Sequence, residues 1–239
     1  MRVVTVASLK GGVGKSATAV NLAAAFGENT LAIDADPQSS LTDFYERTTS
    51  LENLSSKNMY SFLSERDALE NCIRNGKSPH CLPSNPDLYG IDIETAKDPL
   101  SILRAKKSLD ELDYENIVID TPPSVSAPLQ FALLACDVCL VPVNPDRWIL
   151  KGLAMLFKTL EKVNKSKDKQ TKIIAIPSIV TKKEDEQIRE TLADKIPMTK
   201  TTIMKAAAIK KALARGERLP DKTKAAQSFL DLAQEVRAL

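Results

Sequence analysis

Seven consecutive residues, Lys10-Gly11-Gly12-Val13-Gly14-Lys15-Ser16, combine three glycines, two lysines and a hydroxyl. That mixture suits a polyphosphate. Glycines let backbone N–H groups turn inward around oxygen atoms, Lys15 can reach β- and γ-phosphates, and the Ser16 hydroxyl can ligate Mg²⁺. Ala17 extends the cradle by one more backbone N–H. The usual spacing G-x-x-x-x-G-K-[ST] is not met, because alignment on Gly14-Lys15-Ser16 puts Leu9 at the first glycine. The context is the right one all the same: the apolar run 3–7 reads as a buried strand leading in, and the alanine-rich stretch 16–26, stopped at Gly27, reads as a helix leading out. A helix N-terminus attracts anions.

Carboxylates stand at two further strand exits. Residues 30–33 lead to Asp34 and Asp36, and Ile117-Val118-Ile119 leads to Asp120 and then Thr121-Pro122-Pro123. Beside a phosphate turn, Asp36 could orient an attacking water or hold a metal-bound one, and Asp120 has the position of a strand-end acid that binds Mg²⁺ through water. Solvated turn acids are the plainer alternative for Asp34 and Asp36. The two consecutive prolines after Thr121 stiffen that segment.

Such groups need a frame that brings strand ends together. Apolar strands at 3–7, 30–33, 115–123, 136–143 and 172–180 alternate with helices at 16–26, 127–135 and about 147–165. This alternation predicts an α/β fold with a mostly parallel twisted sheet covered by helices on both faces, of the P-loop NTPase kind. The middle of the chain, 38–113, reads as helical stretches near 58–74 and 97–112 around a turn-rich piece, "KSPHCLPSNPDLYG". With 239 residues, 43% hydrophobic and 27% charged, one domain over 1–239 is expected.

Composition also excludes. His80 is the only histidine, which argues against a histidine metal site or a Ser-His-Asp triad, and its setting reads as a surface turn. No run approaches the ~18 apolar residues that span a bilayer. The four cysteines do not suggest a disulfide framework, so a reducing, cytoplasmic setting is expected.

KGGVGKS resembles the deviant Walker A motif of the ParA/MinD family of ATPases, and "DADPQSSLT" (34–42) and "IVIDTPP" (117–123) resemble that family's next two motifs in the same order. Weaker similarity covers "LPSNPDL", "VPVNPDRWILKGL" and "KAAQSFLDLAQEV", so the resemblance spans most of the chain. It is to a small ParA without the N-terminal helix-turn-helix of larger members. The resemblance implies that ATP and Mg²⁺ are the cofactors and that Asp36 is required for hydrolysis. It further implies that Asp34, Pro37 and Gln38 form a γ-phosphate-sensing switch, with Thr121 and Pro122 in a second one. Lys10 is implied to cross a face-to-face homodimer and contact the partner's ATP, which makes it catalytic alongside Lys15. A solvated loop lysine is the alternative for Lys10. Ser16-Ala17-Thr18 departs from the family's threonine run, so a side-chain hydroxyl is missing at 17 and backbone contacts must serve.

Charge is unevenly placed. The net charge is +2, yet residues 195–224 hold nine basic and two acidic side chains. Lys210, Lys211, Arg215 and Arg218 lie in a helical stretch at spacings that can cluster on one side, which suits a nucleic-acid backbone, with a merely solvated face as the alternative. The resemblance favours non-specific, nucleoid DNA and a hydrolysis-stimulating ParB-like protein or cargo adaptor. Relatives of the MinD type dock on membranes instead, but the apolar residues 229, 232, 233 and 236 sit among acids on the final helix, so no membrane contact is expected. A dethiobiotin synthetase-like ligase would share the phosphate turn but lack the Asp-Pro-Gln switch. Cys136 and Cys139 read as buried apolar residues rather than iron–sulfur ligands, Trp148 as a packing residue, and Lys151 as a surface residue.

Overall fold

The computed structural model describes residues 1–146 and 149–239. Trp148, expected to pack, lies outside the described residues. The strands are β1 (Arg2–Val6), β2 (Thr30–Asp34), β3 (His80–Leu82), β4 (Asn116–Asp120), β5 (Val138–Val143), β6 (Lys172–Val180) and β7 (Ile203–Met204). The helices begin with α1 (Lys15–Phe26), α2 (Ser40–Tyr45), α3 (Leu51–Ser55), α4 (Met59–Leu63), α5 (Leu69–Cys72), α6 (Ile91–Lys97) and α7 (Ser101–Asp110). They continue with α8 (Ala127–Ala135), α9 (Ile149–Asn164), α10 (Lys182–Leu192), α11 (Ala207–Arg215) and α12 (Lys224–Arg237).

The strands form one sheet in the order β3-β2-β4-β1-β5-β6-β7, and every pairing is parallel. Strand residues alternate between two cores, as a period of two requires. Val3, Ile33, Ile119 and Val141 face α4, α7, α8 and α9, whereas Val4, Val6, Ala32, Val118 and Leu140 face α1, α2, α11 and α12. Burial on both faces explains why these strands read as continuous apolar runs.

Chain direction across the sheet reverses at β1: from it the chain runs outward to β2 and β3, and from β4 it crosses to β5 and β6 on the other side. Open α/β sheets bind ligands at such a switch point, outside the carboxyl ends of the strands. Register brings the ends level there, since Asp120 pairs with both Val6 and Asp34.

Where the sequence reading differs, the physical reasons are local. The turn-rich stretch contains β3, three residues held beside β2, so His80 begins an edge strand, and its ring nitrogen pairs with the Tyr114 hydroxyl at 2.7 Å. β7, only two residues long, carries no periodic signal at all. The helix expected near 97–112 is α7, which begins only at Ser101; a separate helix, α6, ends at Lys97, where Pro99 cannot continue it. The helical stretches expected near 58–74 are two short helices, α4 and α5.

Candidate nucleotide site at the carboxyl ends of the strands

The phosphate turn joins β1 directly to α1. Gly14 caps the helix in the left-handed region at φ 91°, where a side chain would be strained. A Cβ there would also lie 2.8 Å from the Ser178 hydroxyl and 2.9 Å from Ile179 Cδ1, so two constraints select glycine. The first intrahelical bond of α1 runs from Thr18 N–H to the Gly14 carbonyl at 2.9 Å, leaving the preceding helical N–H groups, Lys15 to Ala17, without intrahelical acceptors. The first turn of α1 holds no acid and no side-chain cap, so its partial positive charge is uncompensated. Val13 is 1% exposed and Ala17 4%, so both contribute backbone to the turn and side chains to the packing.

The two lysines do different things. Lys15 is buried, and its ammonium folds back over the turn to donate to the Lys10 carbonyl at 3.2 Å. Burial lowers its pKa, while the Asp120 and Asp36 carboxylates pull it back up. Lys10 points away from the turn: its Nζ lies 2.5 Å from Asp146 Oδ2 and 3.1 Å from Asn144 Oδ1, beyond the end of β5.

The carboxylates converge opposite Lys15. Asp120 is fully buried, and neither of its oxygens has a hydrogen-bond partner among the described residues. Burial pushes its pKa well up, Asp34 adds to the effect, and the neighbouring Ser16 hydroxyl and Lys15 ammonium oppose it. An orphaned buried carboxylate beside a serine hydroxyl is the donor set a hard divalent cation takes. The residues present therefore fit Mg²⁺.

Asp34, also fully buried, accepts from Thr42 N–H and Thr42 Oγ1, both at 2.8 Å, and from Asp36 N–H at 3.1 Å. Burial raises its pKa to about 7 against these bonds. Asp36, 7% exposed, accepts from Gln38 N–H at 2.9 Å, and burial raises its pKa while that bond and Lys15 lower it. Pro37 is buried, whereas Gln38 is exposed and its side-chain amide donates to the Tyr89 hydroxyl. On the second candidate switch, the Thr121 hydroxyl donates to the Val6 carbonyl at 2.9 Å and Pro122 is buried, which anchors the end of β4 to β1.

The structure thus gathers Lys15, Ser16, Asp34, Asp36 and Asp120, with the turn 10–17, at one edge. It leaves Lys210, Lys211, Arg215 and Arg218 exposed on or just after α11. Arg215 pairs with Glu217 at 3.9 Å, and Arg218 donates to the Ser78 carbonyl, so these two are partly engaged. Lys151 is exposed, and with Lys10 it lines a cavity of about 460 Å³ between the phosphate turn, 123–125 and α9.

Sequence reasoning missed Thr42, Ser84, Asn144, Asp146 and Ile179. Ser84 N–H donates to Thr42 Oγ1 at 2.8 Å, continuing the Asp34–Thr42 chain. Asn144 and Asp146 fall in the weakly similar segment VPVNPDRWILKGL just past an apolar strand, but nothing in the sequence ties them to Lys10. Cys136 and Cys139 are buried and free, as expected, and burial raises both thiols. Among the described residues no helix is long and apolar enough to cross a membrane, and Phe229, Leu232, Ala233 and Val236 of α12 are buried.

An AAA domain family model, AAA_31, matches residues 1–173. The chain is 32% identical over 179 residues to the chromosome-partitioning ATPase Soj of Thermus thermophilus, a match covering 74% of this chain and 68% of that protein. The chain belongs to the ParA/MinD family of ATPases. Among solved structures, a plasmid partition protein from Borrelia burgdorferi bound to AMPPNP superposes with a TM-score of 0.86 at 26% identity, covering 99% of this chain and 98% of that one. The Mycobacterium smegmatis cobyrinic acid a,c-diamide synthase with bound ATP analog and magnesium shares the fold, with a TM-score of 0.81 at 21% identity over 99% of this chain and 94% of that one. A ParA/MinD-family fold therefore carries the polar edge just described, with its deviant turn between β1 and α1.

Proposed function

We propose that this chain is a ParA-type ATPase, one domain over 1–239, that pairs into a homodimer when it holds Mg-ATP, binds DNA non-specifically and is released by hydrolysis. It would segregate or position a plasmid, chromosome or other cargo in the cytoplasm, on the nucleoid, with a ParB-like or adaptor protein stimulating weak intrinsic turnover. The observation that carries the reading is the division between the lysines: Lys15 lies within the turn, whereas Lys10 faces out of it, 2.5 Å from Asp146. A second cation inside one cradle would be repelled by the first. Directed outward, Lys10 is available to a neighbouring subunit.

In this reading the N–H groups of residues 11–17 and the Lys15 ammonium hold the phosphates. Ser16 and Asp120 hold Mg²⁺, which when bound neutralises charge on the β- and γ-oxygens. Asp36 orients the attacking water. Asp34 fixes the 36–42 turn through Thr42, so that Gln38 and Pro37 follow the position of Asp36. Lys10 of one subunit adds positive charge at the other's γ-phosphate. Lys210, Lys211, Arg215 and Arg218 meet DNA phosphates, doubled in the dimer.

DNA retardation with and without Mg-ATP tests the whole. ATP-dependent, sequence-independent retention that weakens steeply with salt is the expected result, and binding indifferent to nucleotide would overturn it.

A further inference from the structure

The basic helix α11 is fastened at both ends to elements that adjoin the phosphate site. At its C-terminus, Arg47 Nη2 donates to the Ala214 carbonyl at 2.7 Å. Gly216, which ends the helix at φ 64°, lies close beneath the same side chain: a Cβ there would be 3.2 Å from Arg47 Nε and 3.3 Å from the Phe44 carbonyl. Arg47 follows α2, whose Phe44 shares a core with Ile209 and Ala212 of α11. α2 begins at Ser40, directly after the 36–39 turn. It is held to β2 by the Asp34–Thr42 bonds and to α1 by the Tyr45 hydroxyl, which donates to the Val20 carbonyl at 2.7 Å.

At the other end, Lys205 N–H donates to the Val180 carbonyl at 2.8 Å, and β7 pairs with β6 across an irregularity between Ser178 and Val180. Within it, Ile179 sits at φ 57°, a strained conformation for a β-branched residue, with its side chain against Gly14 of the phosphate turn.

Asp36 Oδ1 accepts the Gln38 N–H at 2.9 Å, and Ser39 is held at φ 56°. A ligand that drew the Asp36 carboxylate away from the Gln38 N–H would remove a bond that sets the shape of the turn. α2 is six residues long and starts directly after the turn, and Arg47 lies two residues past its end, so one short element joins the turn to Arg47.

We propose that Arg47 is a positioning residue that couples the 36–39 turn to α11, so that the state of the phosphate site alters how the basic helix is held within one subunit. This rests on the reading of α11 as the DNA-facing element, but it needs no dimer. It predicts a change in α11 itself, beyond the doubling of the patch that pairing would bring.

Amide hydrogen exchange on the full chain, with and without a non-hydrolysable ATP analogue, tests it. In the wild type, the analogue should protect 11–17 and change exchange over 207–217 several-fold. Arg47→Ala should keep the protection at 11–17 and lose the change at 207–217, with partial recovery in Arg47→Lys. If Arg47→Ala misfolds, Gly216→Ala displaces the guanidinium without touching the phosphate site and should give the same loss. A wild-type α11 indifferent to the analogue while 11–17 are protected overturns the coupling. So does an Arg47→Ala variant that responds like wild type. DNA retention by the same proteins separates the two readings: an α11 that responds in a wild type that ignores DNA keeps the coupling and removes the DNA reading.

Discussion

The phosphate edge and the basic helix are both built from charged side chains, yet they are opposite kinds of place. At the edge, Asp34, Asp36, Asp120 and Lys15 are all less than a tenth exposed, and burial shifts every one of their pKa values. On and just after α11 the cations are exposed, and among the described residues Lys210 and Lys211 form no ion pair. Charges packed into a dry site act through individual geometry, so replacing one changes the chemistry; charges spread over a wet surface act by sum, so replacing one changes little. The comparison therefore predicts sharp, residue-specific losses at the edge and shallow, additive ones on the helix.

The largest effect should come from Asp36→Ala. Loss of a group that orients water costs about 100- to 10,000-fold in turnover, and nucleotide binding should persist, because Lys15 and the backbone cradle remain. Single-turnover hydrolysis beside equilibrium nucleotide binding checks this. Unchanged turnover would move the sharp behaviour away from Asp36.

Burial at the edge also has a pH signature. A carboxyl in the unfolded chain titrates near pH ~3.9, whereas Asp34 in the fold titrates at about 7. Between these values the folded form holds a proton that the unfolded chain has released. Stability is therefore lost as pH rises from about 4 through 7, by up to about tenfold in the folding constant per pH unit for one group. Denaturant titrations at several pH values should show Asp34→Asn flattening that slope. An unaltered slope would mean that burial at Asp34 is not what sets it.

On the helix, Lys210→Ala with Lys211→Ala should lower DNA affinity by roughly tenfold at moderate salt and reduce the log–log salt slope by about 2 per subunit. ATP turnover without DNA should not change. A loss of hydrolysis in that variant would show that the two regions are not separable in the way their burial suggests.

Smallest of all should be Asp146→Asn, which releases Lys10 from a half-exposed ion pair. Such pairs contribute about 0–1 kcal/mol, so ATP-dependent pairing should tighten by no more than about fivefold. Weaker pairing would instead make Asp146 part of the dimer contact.

What could be read from the sequence follows the same division. The edge was legible because its chemistry is local in the chain: a glycine turn between a strand and a helix, and acids at the exits of apolar strands. Both 127–135 and 172–180 coincide with α8 and β6, because the first is rich in Ala and Leu and the second in β-branched Ile and Val. β3 and β7 were not legible, because strands of two or three residues are made by the neighbour they pair with. The same holds for the partners of the site. Asp146 reaches Lys10 and Ile179 reaches Gly14 through sheet topology, whereas Thr42 reaches Asp34 from eight residues on, where α2 turns back on the end of β2. Arg47 is a single cation outside any cluster, with nothing in the sequence to tie it to α11.

Complementation between two lysine variants tests whether the two lysines of one turn serve two different subunits. Lys10→Ala keeps Lys15 for its own site, and Lys15→Ala keeps Lys10 for its neighbour's. Each variant alone should turn ATP over poorly. An equimolar mixture should recover turnover, because the site of the Lys10→Ala subunit then has its own Lys15 and the partner subunit's Lys10. A mixture no more active than the two variants measured apart would place both lysines in the same cradle and contradict the account.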